Sequence, residues 1–128
     1  MIFVDTNVLM SAVGGPHPLR GPARAFFQEA IERAQQLATS AEVLQELLHA
    51  YLPVGRAATL DAALTLAEAC IPIVWPIEEE DVRAARILAN RFSGLGARDL
   101  LHLACCRRYG AEEIKTFDRG LAAAFAGR

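Results

Sequence analysis

An α/β fold with a short, mainly parallel central sheet flanked by helices in three layers is predicted by three observations. First, four short runs have strand character: Ile2-Phe3-Val4, Leu37-Ala38-Thr39, Ile71 to Pro76, and Ile114-Lys115-Thr116-Phe117. Second, the segments between them are longer and carry apolar residues at helical spacing. Alternation of this kind lays strands side by side in parallel, with helices covering the faces. Third, no linker, internal repeat or low-complexity stretch interrupts the 128 residues, so residues 1–128 form one domain.

In chain order, Ile2-Phe3-Val4 is an apolar run that stops on Asp5. Thr6 and Asn7 are good caps for a helix through Val8 to Val13. Asp5 therefore stands where a central strand turns into a helix, the edge at which ligands bind in open α/β sheets. A buried aspartate needs a hydrogen-bonding, ionic or metal partner, or it simply caps the helix; both readings stay open for Asp5 alone. Gly14-Gly15-Pro16-His17-Pro18 is a loop. A helix from Pro22 to about Gln36 follows, with Ala23, Phe26, Phe27, Ala30 and Ile31 on its apolar stripe. After Leu37-Ala38-Thr39, the run Thr39-Ser40-Ala41-Glu42 reads as a capping box opening a helix to Leu52.

A second helix spans Arg56 to Cys70, and the strand Ile71 to Pro76 carries a proline near each end, which suits a sheet edge. Glu78-Glu79-Glu80-Asp81 is the acidic first turn of a helix reaching Phe92. Ser93-Gly94-Leu95-Gly96 is a loop before a helix from Ala97 to Tyr109, ended by Gly110. Asp118 follows the last strand as Asp5 follows the first, and a short Ala-rich helix closes the chain.

Composition narrows the function. A net charge of −2 gives no basic footprint for nucleic acid, and Lys115 is the only lysine among 13 basic residues. Cys70, Cys105 and Cys106 are an odd number without C-x-x-C spacing, which points away from disulfides and structural zinc and toward a reducing compartment. The opening apolar run is too short for a signal peptide, and no stretch approaches the ~20 apolar residues of a membrane span. The expectation is a soluble, cytoplasmic protein without a membrane partner.

Four carboxylates carry the chemistry. Asp5 and Asp118 each end a strand. Asp99 lies in the first turn of its helix and shares a face with His102 and Cys106, either as a surface pair with His102 or as part of a wet cleft. Glu46 has no Arg or Lys at i±3 or i±4, whereas Glu42 has a local place in the capping box. Converging carboxylates raise one another's pKa unless a cation neutralises them, and Mg²⁺ or Mn²⁺ is the natural hard-oxygen partner. Such ions activate water and stabilise charge on phosphate in hydrolysis.

Met1 to Leu9, Thr39 to Leu47 (TSAEVLQEL), Ala97 to Ala104 (ARDLLHLA) and Thr116-Phe117-Asp118 together resemble the four signature segments of PIN domains, closest to the VapC-type toxins of toxin–antitoxin pairs. The resemblance spans nearly the whole chain. It implies a PIN-like fold and a Mg²⁺-dependent (Mn²⁺-tolerant) endoribonuclease with Asp5, Glu46, Asp99 and Asp118 as its acids. Asp5 and Asp99 would be the direct metal ligands, with Glu46 and Asp118 acting through water. Asn7 and Thr116 match supporting polar positions. It further implies an RNA substrate, a small antitoxin partner and a homodimer, the last also favoured by the apolar content of so small a chain. Because the net charge supplies no general attraction, phosphate contacts are expected from arginines near the cleft, with Arg98, Arg119 and Arg20 as candidates. Many members carry a further acid two residues after the last one; here that position is Gly120, which leaves a second metal site in doubt.

Two other readings compete. A haloacid-dehalogenase-type phosphatase would want Asp where Asn7 stands and a catalytic lysine for which only Lys115 is available. A catalytically silent PIN-like binding module is the alternative from another class, and the intact quartet argues against it. No Gly-rich nucleotide-binding motif occurs.

Overall fold

The computed structural model describes residues 1–127. Its elements are β1 (Ile2–Val4), α1 (Thr6–Val13), α2 (Arg20–Glu32), β2 (Leu37–Ser40), α3 (Ala41–Tyr51), α4 (Ala57–Cys70), β3 (Ile73–Trp75), α5 (Glu79–Leu88), α6 (Ala97–Tyr109), β4 (Glu113–Lys115) and α7 (Arg119–Ala126). The four strands run parallel in the order β3-β2-β1-β4. Helices α1 to α4 pack among themselves, α5 and α7 pack on α6, and the sheet is the middle of three layers.

Strand β1 is central and wholly buried, pairing Ile2 with Leu37 on one side and Val4 with Lys115 on the other. Its neighbours reinforce it: the Thr39 hydroxyl donates to Val4 O at 2.8 Å, and Asp5 N–H donates to Lys115 O at 3.0 Å. Phe3 stacks on Trp75 with ring centroids 5.7 Å apart, and Trp75 in turn on Tyr109 at 4.8 Å. This aromatic row seats α6 on the sheet. As the flanking prolines predict, β3 is an edge strand. So is β4, rather than the second central strand that convergence of Asp5 and Asp118 would suggest. Direct pairing with β1 still sends both chains out of the same edge of the sheet.

Several boundaries move for local reasons. Helix α2 stops at Glu32 rather than Gln36 because Ala34 turns to φ 51°, letting the chain drop into β2. The expected capping box at Thr39–Glu42 does not form. Ser40 remains extended in β2 opposite Trp75, and its own hydroxyl accepts from Val43 N–H at 3.3 Å, while Thr39 is committed to Val4. A capping box does form one helix pair later, between Glu78 and Asp81. Asp81 is no solvated acid: it is 1% exposed and binds Arg108 of α6 through Nε at 2.8 Å and Nη2 at 2.9 Å. Helix α5 ends at Leu88, short of Phe92. Gly110 closes α6 at φ 71°, the left-handed cap expected of a glycine there.

Candidate active site

At the carboxyl edge of β1 the chain forms a cavity of about 250 Å³ whose lining includes Asp5, Glu46, Asp99 and Asp118. Thr6, Asn7, Met10, His49, Ala50 and Arg98 complete it. Four acids that no local sequence pattern ties together thus face one space, each delivered by a different element.

Asp5 is both the cap of a helix and a buried acid with side-chain partners from across the fold. As N-cap of α1 its Oδ1 accepts from Thr6 N–H at 2.7 Å, and its Oδ2 accepts from the Thr116 hydroxyl at 2.7 Å and from Asn7 Nδ2 at 3.2 Å. Asn7 and Thr116 are also bonded to each other at 3.2 Å. Asn7 Oδ1 then accepts Phe117 N–H at 3.1 Å and the Thr116 hydroxyl accepts Asp118 N–H at 3.0 Å. This mesh ties the loop after β4 to the loop after β1 and fixes the Asp5 rotamer. Asp118 likewise caps α7, its Oδ1 accepting from Leu121 N–H at 3.0 Å.

Glu46 gets its partners from across the fold. Its Oε2 accepts from the Thr6 hydroxyl at 2.6 Å, and its Oε1 lies 2.9 Å from His102 Nε2. His102 is wholly buried, its ring against Phe3 at 5.3 Å, and Nε2 is also 3.6 Å from Asp5 Oδ1. It is therefore not the surface partner of Asp99 but a buried imidazole beneath the acids, turned toward Glu46 and Asp5. Sequence reasoning placed His102 on the right helix face without assigning it to the site. The available signal was its spacing three residues after Asp99 on a helix with few other polar residues.

Burial pushes the Asp5 carboxyl above the usual aspartate range, against the pull of His102 and the Thr116 hydrogen bond. Asp99 is also raised, by burial first and then by the negative charge of Asp5. Burial would raise Glu46 too, but the hydrogen bonds from His102 and Thr6 outweigh it and hold Glu46 low. His102 rises despite burial because Glu46 and Asp5 favour its charged form. The two directions are coupled, each group favouring the charged form of the other.

A divalent cation fits this donor set. One ligand atom each from Asp5, Glu46 and His102 falls within a 4.8 Å cluster, with Asp99 and Asp118 on the same cavity wall. His102 lies beneath the cavity rather than on its wall, so the charged donors facing the open space are carboxylate oxygens, which suit hard ions. Of the candidate phosphate contacts, Arg98 lines the cavity, whereas Arg119 and Arg20 do not. Arg20 starts α2, its backbone N–H bonded to His17 O at 3.1 Å and its Nε buried without a partner. At Gly120 an added Cβ would stand 3.3 Å from Asp118 Oδ1, so a side chain there would press on that acid.

A PIN-domain family model matches residues 2–125. Ribonuclease VapC23 of Mycobacterium tuberculosis is 62% identical over 125 residues, which is 98% of each chain. Among solved structures, Mycobacterium tuberculosis VapC20, described as a sarcin–ricin loop cleaving toxin, superposes with a TM-score of 0.73 at 21% identity, covering 97% of this chain and 95% of its own. VapBC2 from Rickettsia felis, bound to a DNA fragment from its promoter, gives a TM-score of 0.70 at 17% identity over 92% of this chain and 89% of the other. Family model, close relative and shared fold agree: the chain belongs to the PIN-domain family and, within it, to the VapC proteins.

Proposed function

We propose that this protein is a Mg²⁺- or Mn²⁺-dependent endoribonuclease acting as the toxin of a toxin–antitoxin pair. The observation that carries this reading is the cavity into which four carboxylates converge, with Arg98 as the one permanent cation on its walls among the described residues and His102 beneath it. The kinship with VapC23 supports RNA as the substrate class, and the VapBC2 assembly supports a small antitoxin partner.

Asp5 and Asp99 would hold the ion directly, with Glu46 and Asp118 completing the site through water. The bound ion supplies the positive charge that activates the attacking water and stabilises charge developing on the phosphate. The protein's own residues hold everything else in place. Thr116, Asn7 and the α1 backbone fix Asp5; His102 and Thr6 keep Glu46 ionised and immobile. Arg98 at the cavity wall meets a phosphate of the RNA. Burial first, and for Asp99 next the negative charge of Asp5, raises the pKa of both aspartates, so each takes up a proton more readily than a free carboxylate. Loading Mg²⁺ should therefore release protons, a readout independent of cleavage.

The deciding experiment is RNA cleavage on linear and hairpin RNAs with Mg²⁺ and then with excess EDTA. Cleavage should need the metal. Cleavage that persists in EDTA overturns the metal role, and RNA binding without cleavage under either condition favours the silent binding module.

A further inference from the structure

A second cavity, of about 390 Å³, adjoins the acid centre, and Met10 lines both. We propose that it receives a nucleotide flanking the cut, as a base-and-phosphate subsite for single-stranded RNA; the proposal rests on the ribonuclease reading above. The acid cavity sets four carboxylates against a single arginine on its walls, and the whole chain carries a charge of −2, so RNA needs further contacts beyond it. Cations and a stacking surface must lie beside it.

The adjoining cavity has Arg56 as its cation and the Met10 thioether as an apolar surface, while Tyr51, only 5% exposed, backs the Arg56 guanidinium. Its walls include Met10, Ser11, Gly15, His17, Tyr51 and Arg56. The Arg56 guanidinium sits 5.9 Å from the centre of the Tyr51 ring and, apart from a weak 3.4 Å bond to the Thr59 hydroxyl, is uncommitted. No carboxylate pairs with it among the described residues. His17 accepts the Leu19 N–H at Nδ1, 3.1 Å, which fixes the ring and leaves Nε2 as its free donor. Gly14 is confined, because a Cβ there would stand 3.0 Å from Met10 O, whereas Gly15 opens onto free space where a ligand can approach the backbone.

The Met10 thioether and the open Gly15 backbone suit the faces of a base, the Ser11 hydroxyl and His17 Nε2 suit its polar edge, and Arg56, backed by the Tyr51 ring, suits a phosphate. The volume lies within the range of small-ligand sites. Helix α1 carries Asp5 at one end and leads into Gly14 at the other, a span of about 12 Å for its eight residues, and Met10 between them lines both cavities, so one strand can enter the two side by side.

Two measurements test this. Ribonucleoside 5′-monophosphates titrated into ¹⁵N-labelled protein without Mg²⁺ should shift the backbone amides of Gly15, His17 and Arg56, and Arg56→Ala should abolish those shifts while the melting temperature barely moves. With Mg²⁺, Arg56→Ala should raise KM for a mixed-sequence oligoribonucleotide about tenfold, the loss of one charged hydrogen bond, with kcat nearly kept. Arg83→Ala, which removes a cation engaged with Glu79 on α5, serves as the control and should change neither. Shifts confined to the acid cavity, or an unchanged KM, overturn the subsite. An unchanged KM together with loss of antitoxin inhibition would identify the cavity as a protein contact instead. If the wild type cuts no RNA, the ribonuclease reading fails, while the monophosphate titration still decides whether this cavity binds nucleotides.

Discussion

Glu46 is held by Thr6 and His102, residues 40 and 56 positions away, and this changes what its removal should do. A glutamine at 46 keeps the shape but leaves a buried imidazole whose charge has lost its nearest compensation. Glu46→Gln should abolish cleavage and also cost roughly 1–3 kcal/mol in urea unfolding near neutral pH. Glu42 caps nothing in the folded chain, and burial and the nearby Glu46 raise its pKa, so Glu42→Gln should leave both activity and stability close to wild type. Inactive Glu42→Gln beside active Glu46→Gln would reverse the assignment. His102 adds a pH signature. Its folded pKa is raised above the free value of 6.5, so the stability it contributes is complete below 6.5 and is lost as pH climbs through the folded value. Melting temperatures in EDTA should fall as pH rises above 6.5, and His102→Gln should flatten that part of the curve. A wild-type curve with no such fall would mean that the pair is not charged.

Helix ends do most of the positioning. Asp5 caps α1 and Asp118 caps α7, so the hydrogen bonds that start these helices also fix the two acids at the cavity. Asp99 sits in the first turn of α6, where the helix dipole favours its charge while burial and Asp5 oppose it. Asp99→Asn keeps the side-chain shape and removes the repulsion. In EDTA this variant should be more stable than the wild type, by on the order of 1 kcal/mol at an effective dielectric near ~20. With Mg²⁺ the order should reverse, because only the wild type retains the full ligand set and gains binding free energy. Thermal melts of both proteins in the two buffers should therefore cross; equal gains from Mg²⁺ would remove Asp99 from the ligands. The other end of α6 is anchored differently: Arg108 reaches Asp81 in the capping box of α5, and the pair locks the two helices together.

For the whole molecule, exposed apolar residues gather near two elements. Leu48, Leu52 and Val54 are 41%, 54% and 66% exposed at the end of α3, and Val82 and Ile87 are 53% and 70% exposed on α5. Apolar surface of this kind on a small chain is a reason to expect self-association or partner binding. Light scattering at micromolar concentration should give twice the 13.9 kDa chain mass, and a strictly monomeric mass would count against the homodimer. No helix among the described residues is long and apolar enough to cross a membrane.

The sequence by itself determined the order of elements, the parallel character of the sheet and the acids to watch, because these rest on local signals: apolar periodicity, glycine and proline breaks, and carboxylates at the ends of strand-like runs. It also showed that Glu46 lacks a partner on its own helix. Only the tertiary structure decided who that partner is. His102 reaches Glu46 because Phe3 and the Trp75–Tyr109 stack seat α6 against the sheet, bringing His102 from α6 to Glu46 on α3. The cap of α3 was decided in the same way: Thr39 and Ser40 are both capping residues in isolation, and the hydrogen bond to Val4 O with the pairing to Val74 keeps Thr39 in the sheet and leaves the cap to Ser40. Capping chemistry is local to a few residues, whereas a buried charge pair and a strand register are set by contacts between segments far apart in the chain, so the first can be read from spacing and the second cannot.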